Sequence, residues 1–158
     1  MTESREANFA SVEADLSYSF GGEIKIGGNY VSVIRHDNQV FISGQIPRVG
    51  NEVVVTGRVG ADVSVADAQR AAKVCVMRAL ALLRQELGSL DRVRRILRIT
   101  VFVQCSQDFS LQSEVADGAS EVLYAVLGNA GVHTRTSVGV YQLPKNAAVE
   151  IDLIAAVE

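Results

Sequence analysis

The chain has 158 residues, 48% of them hydrophobic and 21% charged, and its net charge is −3. This composition excludes a disordered chain and fits one globular domain with a buried core. The acidic balance argues against a nucleic acid partner, and no apolar run is long enough to span a membrane. The N-terminus lacks the apolar segment of a signal peptide, and the two cysteines show no metal-binding or redox spacing. We therefore expect a cytoplasmic protein without a metal.

Residues 1–28 are predicted to form an N-terminal extension, and residues 29–158 the domain proper. Phe9, Val12 and Leu16 recur at helical spacing, which predicts a short helix over Arg5–Leu16. Two glycine pairs then interrupt the chain. The extension could cap the core or contact a neighbouring subunit, and the pattern leaves both possibilities open.

Three strands are predicted to follow as a meander, over residues 30–35, 39–45 and 52–58. The turn between the first two is formed by His36-Asp37-Asn38. A long helix is then predicted over Val65–Leu87, because Ser64 is a suitable N-cap and Gly88 a suitable C-terminal stop.

Residues 95–104 are predicted to form a strand with an aliphatic face covered by helices, made of Leu97, Ile99, Val101 and Val103. A second helix is predicted from Asp108 or Ser110 to Leu127. Two β-branched runs then flank Leu143-Pro144-Lys145-Asn146, which predicts a closing hairpin.

The predicted order βββαβαββ indicates an α+β protein, with both helices on one face of a single mixed sheet. The other face would carry apolar and small residues beside charges. An apolar face of this kind needs a partner.

Charged residues occupy both strands of the predicted hairpin. Alternation places Arg135 and Ser137 on one face of the first strand, and Glu150 and Asp152 on what we expect to be the same side of the sheet. Hairpin register would put Glu150 opposite Gly139, with Arg135 roughly 14 Å further along. We therefore expect no direct ion pair, and expect both charges to serve one ligand from different ends or different subunits.

Residues 135–151 read Arg-x-Ser-Val-x-Val-x-x-Leu-Pro-x-x-Ala-x-Val-Glu-Ile, which resembles the closing signature of the RidA/YjgF family. Three upstream blocks extend the resemblance, namely Asn29-Tyr30-Val31, Ser43-Gly44-Gln45-Ile46-Pro47 and Thr100-Val101-Phe102-Val103. Members of this family are small trimeric enamine/imine deaminases, also labelled endoribonuclease L-PSP, with a chorismate-mutase-like fold.

The resemblance implies a homotrimer that needs no cofactor and hydrolyses 2-enamine or 2-imine acids, such as 2-aminoacrylate, in clefts between subunits. Arg135 would then anchor the substrate carboxylate, and Glu150 would activate water or transfer a proton. The other residues implied to line the cleft are Tyr30, Ser43, Gly44 and Ser137.

Two departures from the family leave the substrate open. Ser137 stands where the family usually has Cys, and Gly118 aligns with an Asn of the well-studied deaminases. We expect these changes to reshape one wall of the cleft.

Several alternatives also stay open. Arg135 and Glu150 could be structural ion-pair partners at the interface, and Tyr30 could be ordinary packing. The trimer could bind a small carboxylate without chemistry, as a sensor. A chorismate-mutase type of site would need more than one cationic anchor. The ribonuclease label is discounted, because no pair of histidines suited to acid–base cleavage is evident.

Overall fold

In the computed structural model, which describes residues 3–158, a five-stranded mixed sheet carries helices on one face. Met1 and Thr2, the first residues of the predicted extension, lie outside the described residues. The helices are α1 (Arg5–Leu16), α2 (Val65–Leu87) and α3 (Gln112–Leu127). The strands are β1 (Val33–His36), β2 (Gln39–Gln45), β3 (Arg48–Val49), β4 (Glu52–Val53), β5 (Val93–Gln104), β6 (Thr134–Val140) and β7 (Val149–Val157). The predicted α+β architecture is confirmed.

The strand order is β1-β2-β7-β5-β6, so β5 lies between the last two strands of the chain. β5 pairs with β6 in parallel and with β7 in antiparallel orientation. The predicted closing hairpin is therefore wrong, although both of its strands exist.

The connection from β6 to β7 crosses the end of β5 because the buried Gln104 side chain holds it there. Gln104 Oε1 accepts from Leu143 N at 2.7 Å, and Gln104 Nε2 donates to Asn146 Oδ1 at 2.8 Å. The Leu-Pro-Lys-Asn segment thus forms a crossing loop instead of a two-strand turn.

The predicted third strand over residues 52–58 is also wrong in extent. Only Glu52–Val53 is extended in a ladder, and it pairs with Arg48–Val49 in a separate two-stranded ribbon. Gly57 has a φ of +113°, which turns the chain away and prevents continuation of a strand. β1 likewise begins at Val33, three residues later than predicted.

Helix α2 has the predicted bounds and caps. Ser64 Oγ accepts from Asp67 N at 3.1 Å, and Gly88 ends the helix with a φ of +83°. α3 begins at Gln112, later than predicted, and has no side-chain cap. Both helices pack on the same sheet face, as predicted. No helix within residues 3–158 is long and apolar enough to cross a membrane.

A bulge in β5 alters its predicted inward face. Ile99, Val101 and Val103 are buried against the helices as predicted, but Leu97 is only half-buried and Ile96 takes its place in the core. The register shifts between Ile96 and Arg98, because a bulge inserts an extra residue and reverses the alternation before it.

Helix α1 forms over Arg5–Leu16 as predicted and packs against α3 and α2. Phe9 is fully buried, and Leu16 and Phe20 join the same core. The extension therefore caps the core. The division of the chain at residue 28 stays a prediction.

Candidate functional site

Glu150 lies on the open face of the sheet, meaning the face opposite the helices. Along β7, Val149 and Ile151 are buried toward the helices, whereas Glu150 alternates to the other side and is half-buried. Strand β2 has an irregularity between Ile42 and Gln45, which brings Gly44 beside Glu150. A Cβ atom built on Gly44 would lie 2.9 Å from Glu150 Cδ, so the backbone of β2 approaches this carboxyl group closely.

A pocket of about 180 Å³ opens beside this carboxyl group, and we call it the Glu150 pocket. Three of the residues predicted to form the site line it, namely Tyr30, Gly44 and Glu150. Ser43 lies next to it, but its hydroxyl donates to Val31 O at 2.8 Å and so is tied to the main chain. The other lining residues are Lys25, Ile26, Gly27, Gln45, Ile46, Arg48, Arg78, Pro144 and Lys145.

The Glu150 carboxyl group has an unusual electrostatic environment. Burial raises its pKa above the ordinary glutamate value, and the nearby negative charge of Asp152 raises it further. No salt bridge within residues 3–158 involves Glu150. A carboxyl group with a raised pKa and no ionic partner is suited to accept or donate a proton.

Four cations also line the pocket: Lys25, Arg48, Arg78 and Lys145. Arg78 projects from α2 and is only 3% exposed. Its guanidinium donates to Gln45 Oε1 at 3.1 Å, to Arg48 O at 2.7 Å and to Lys25 O at 2.6 Å. Burial lowers the pKa of Arg78 to about 10, and the Arg48 charge acts in the same direction, but the group stays charged at neutral pH. Arg78 therefore holds the pocket wall together through its carbonyl contacts.

The backbone of Arg48 is held by this network, but its side chain has no hydrogen-bond or salt-bridge partner in the described part of the chain. Its Nε atom is buried and unbonded. No carboxylate between residues 3 and 158 forms a salt bridge with any of the four cations. The pocket is therefore lined by four cations and a single carboxyl group.

Arg135 lies on edge strand β6 and is held by α3. Its NH1 group donates to Asp117 Oδ1 and to Ser120 Oγ, both at 2.9 Å, and its NH2 group donates to Ser113 Oγ at 2.8 Å. The side chain of Arg135 is 20% exposed. Ser120 Oγ in turn lies 2.9 Å from His133 Nε2.

Arg135 and Glu150 lie on opposite faces of the sheet, and the expectation that they share a side is wrong. Across β5, Glu150 pairs with Phe102 and Arg135 pairs with Ile99. Residues three apart on a regular strand point to opposite faces. The structure thus separates the predicted residues into two sets: Tyr30, Ser43, Gly44 and Glu150 in one, and Arg135 and Ser137 in the other.

Gly118 faces helix α2 and neither set of site residues, whereas we expected it to reshape one wall of the cleft. A Cβ atom at Gly118 would lie 2.5 Å from Gln69 O, because α2 and α3 touch at this position. The glycine is needed for helix packing, which is why an Asn side chain has no room here.

Sequence reasoning missed the four cations of the pocket. The sequence contained three signals for them. Arg48 directly follows the Ser-Gly-Gln-Ile-Pro block, and Lys145 lies inside the Leu-Pro-Lys-Asn segment. Arg78 was a third signal, since it interrupts a run of buried residues in α2.

Known proteins are similar to this chain in sequence and in fold. Residues 20–157 match the family described as "YjgF/chorismate_mutase-like, putative endoribonuclease". The chain is 42% identical over 127 residues to protein TCP17 of Trypanosoma cruzi, covering 80% of this chain and 79% of that protein. The chain therefore belongs to the RidA/YjgF family, as its motifs predicted.

Solved structures agree with the fold. The protein Atu1372 of Agrobacterium tumefaciens, of unknown function, is 38% identical, with 97% and 96% of the two chains covered and a TM-score of 0.84. Escherichia coli TdcF, solved with bound serine, is 25% identical, with 84% and 91% covered and a TM-score of 0.63.

Proposed function

We propose that this protein is a cytoplasmic, cofactor-free deaminase that hydrolyses 2-enamine and 2-imine acids in clefts between the subunits of a homotrimer. The observation that carries the proposal is the Glu150 carboxyl group, which has a raised pKa and no ionic partner in residues 3–158. It lies beside the close main-chain approach at Gly44 and the exposed ring of Tyr30.

The trimer is needed to complete the site. Arg135 and Glu150 lie on opposite faces of one chain, so a single small ligand reaches both only if they come from different subunits. The open face also exposes Ile34, Phe41 and Val138, which are 55%, 40% and 39% exposed. Apolar side chains of this size on a flat sheet favour burial against another subunit.

The chemistry follows from the residues. The substrate carboxylate binds the Arg135 guanidinium, which grips carboxylates with parallel hydrogen bonds. The enamine takes a proton at carbon 3 and becomes an imine, whose carbon 2 is electrophilic. Glu150 removes a proton from water as its oxygen bonds to carbon 2. That proton passes to nitrogen and gives a carbinolamine. Glu150 then moves the proton of the carbinolamine hydroxyl to nitrogen, the carbon–nitrogen bond breaks as the carbon–oxygen double bond forms, and ammonia and the 2-keto acid leave.

The remaining predicted residues have supporting roles in this proposal. The Tyr30 hydroxyl and the main chain at Ser43 and Gly44 contact the substrate on the Glu150 side. Ser137, two residues from Arg135 on the same face of β6, contacts it on the other side.

Two further observations support the proposal. TdcF, a structural relative, was solved with serine, a small amino acid whose carboxylate resembles that of the proposed substrates. Cys75 and Cys105 are free, and unpaired thiols fit a reducing compartment.

The test measures ammonia and keto-acid release from enzymatically generated 2-aminoacrylate. Wild type should accelerate release over the spontaneous rate, and both Arg135→Ala and Glu150→Gln should abolish the acceleration. Arg94→Ala is the control, because Arg94 is exposed on β5, belongs to neither set of predicted site residues and does not line the Glu150 pocket. Sedimentation should give a trimer for all four proteins.

No acceleration by a folded wild-type trimer would overturn the proposal. If such a trimer still bound keto acids, the non-catalytic carboxylate-binding alternative would take its place.

A further inference from the structure

The four cations of the Glu150 pocket have no role in the chemistry proposed above. That reaction needs one anchor for one carboxylate, and Arg135 supplies it. Lys25, Arg48, Arg78 and Lys145 line the pocket that the substrate would enter beyond Glu150. Their arrangement indicates what else the ligand carries.

The first observation is that the Arg48 side chain lacks a partner within the described residues. It donates no hydrogen bond to any of them, and its Nε atom is buried. A buried donor without a partner costs free energy unless a ligand or water satisfies it. Because Nε has almost no exposed surface, an anion in the pocket would pair with the terminal nitrogens of the same guanidinium, which also donate to no described residue.

The repulsion between like charges is the second observation. The Arg48 charge lies near enough to Arg78 to disfavour the charged form of that guanidinium. The Arg78 guanidinium donates to Gln45 and to two main-chain carbonyls. It therefore holds the segments that line the pocket and leaves contact with a ligand to the neighbouring cations. An anion between these cations would relieve the repulsion.

Lys145 and Lys25 complete the wall. Lys145 sits in a left-handed conformation at φ 59°, on the loop that Gln104 fixes across β5, and forms no salt bridge. Lys25 is on the segment that Arg78 holds, and its ammonium contacts only the neutral Asn51 side chain. Both ammonium groups are exposed and can turn toward a ligand.

We propose that the cleft selects ligands with two anionic groups, and that Arg48, Lys145 and Lys25 bind the second group, a side-chain carboxylate. The preferred substrates are then imines of dicarboxylic amino acids, with 2-keto dicarboxylic acids as products. A carboxylate fits better than a phosphate because Glu150 lines the same pocket and repels a doubly charged group more strongly. The volume of about 180 Å³ equals that of roughly six water molecules, enough for a short acidic side chain.

The inference rests on the site of the proposed function but is tested by binding alone. Calorimetry compares 2-oxoglutarate with 2-oxopentanoate, which has the same chain length and a methyl group in place of the second carboxylate. Wild type should bind 2-oxoglutarate about tenfold or more tightly than 2-oxopentanoate, as expected for a charge-assisted contact. Arg48→Gln and Lys145→Gln should each remove most of this preference and leave 2-oxopentanoate binding unchanged.

Arg94→Gln makes the same change of charge outside the pocket and should keep the preference. Lys145→Gln is the safer variant for folding, because Lys145 is exposed and makes no side-chain hydrogen bond to the described residues.

Equal affinity of wild type for the two acids would overturn the inference, as would equal weakening of both acids in Arg48→Gln. Stronger displacement of 2-oxoglutarate by inorganic phosphate than by succinate would also overturn it, in favour of a phosphate site. A charge preference without turnover of any imine would refute the deaminase proposal alone, whereas turnover without a charge preference would refute this inference alone.

Discussion

The backbone of Gly44 lies against the Glu150 carboxyl group: a Cβ atom on Gly44 would lie 2.9 Å from Glu150 Cδ and 3.0 Å from its Oε1. The two residues come from β2 and β7, which are neighbours in the sheet. The absence of a side chain at position 44 therefore sets the position of the carboxyl group.

Gly44→Ala is expected to displace the Glu150 carboxyl group while leaving the fold intact, because Gly44 does not have a positive φ. Displacement of a catalytic group by about 1 Å costs on the order of 100-fold in rate. We expect kcat/KM for 2-aminoacrylate to fall by about this factor. Gly22→Ala is the control, since a Cβ atom there meets nothing within 4 Å. Equal activity of both variants would contradict the assigned role of this contact.

Glu150→Gln is expected to lose activity and gain stability. The pKa of Glu150 is raised in the folded protein, so the folded state binds more protons than the unfolded state between the ordinary and the raised value. Stability falls as pH rises through that window, and the cost of ionised Glu150 is fully present above it. Glutamine removes this cost, so Tm at pH 7 should rise, and the gain should vanish near pH 4. Glu86→Gln, on the exposed side of α2, should show no gain.

The pH profile should reveal Asp152 as a neighbour of the base. If Glu150 must be ionised to activate water, the acid limb of kcat/KM reports its pKa. Burial is the larger cause of the raised pKa and Asp152 the smaller one. Asp152→Asn should therefore move the acid limb to lower pH, and Asp91→Asn should not move it. A limb that moves upward would show that another group titrates.

Asp117→Asn is expected to tighten carboxylate binding. Asp117 Oδ1 accepts from Arg135 NH1 at 2.9 Å, so it would compete for the guanidinium with the substrate carboxylate that we propose Arg135 anchors. Its side chain is 64% exposed, and exposed ion pairs contribute only about 0–1 kcal/mol, so stability should hardly change. We expect KM to fall several-fold with Tm unchanged. Asp67→Asn, an exposed carboxylate on α2, is the control. A raised KM in Asp117→Asn would mean that Asp117 orients Arg135 for binding.

Gly118→Ala should destabilise the protein by forcing α2 and α3 apart. The added Cβ atom would lie 2.5 Å from Gln69 O, and overpacking of this kind costs about 1–3 kcal/mol. We expect Tm to fall by roughly 2–10 °C. Gly118→Asn should be worse and should not increase activity, although the well-studied deaminases have Asn at the aligned position. An unchanged Tm in Gly118→Ala would show that the helix contact is not tight.

Local features of the chain were readable from the sequence alone. The bounds of α1 and α2 followed from apolar spacing and from the caps Ser64 and Gly88, which act within a few residues. The motif around residues 135–151 was enough to predict the family and the two-layer fold. Gly44 and Glu150 were both predicted as site residues, since both lie in motif blocks.

Only the tertiary structure decided which strands are neighbours and which charges meet. Strand alternation gives the two faces of a strand but not its partner, so nothing in residues 135–152 showed that β5 would insert between β6 and β7. That insertion, fixed by the Gln104 side chain, places Arg135 and Glu150 on opposite faces. Lys25, Arg48, Arg78 and Lys145 come from four separate segments, and only folding shows that these four cations line one pocket.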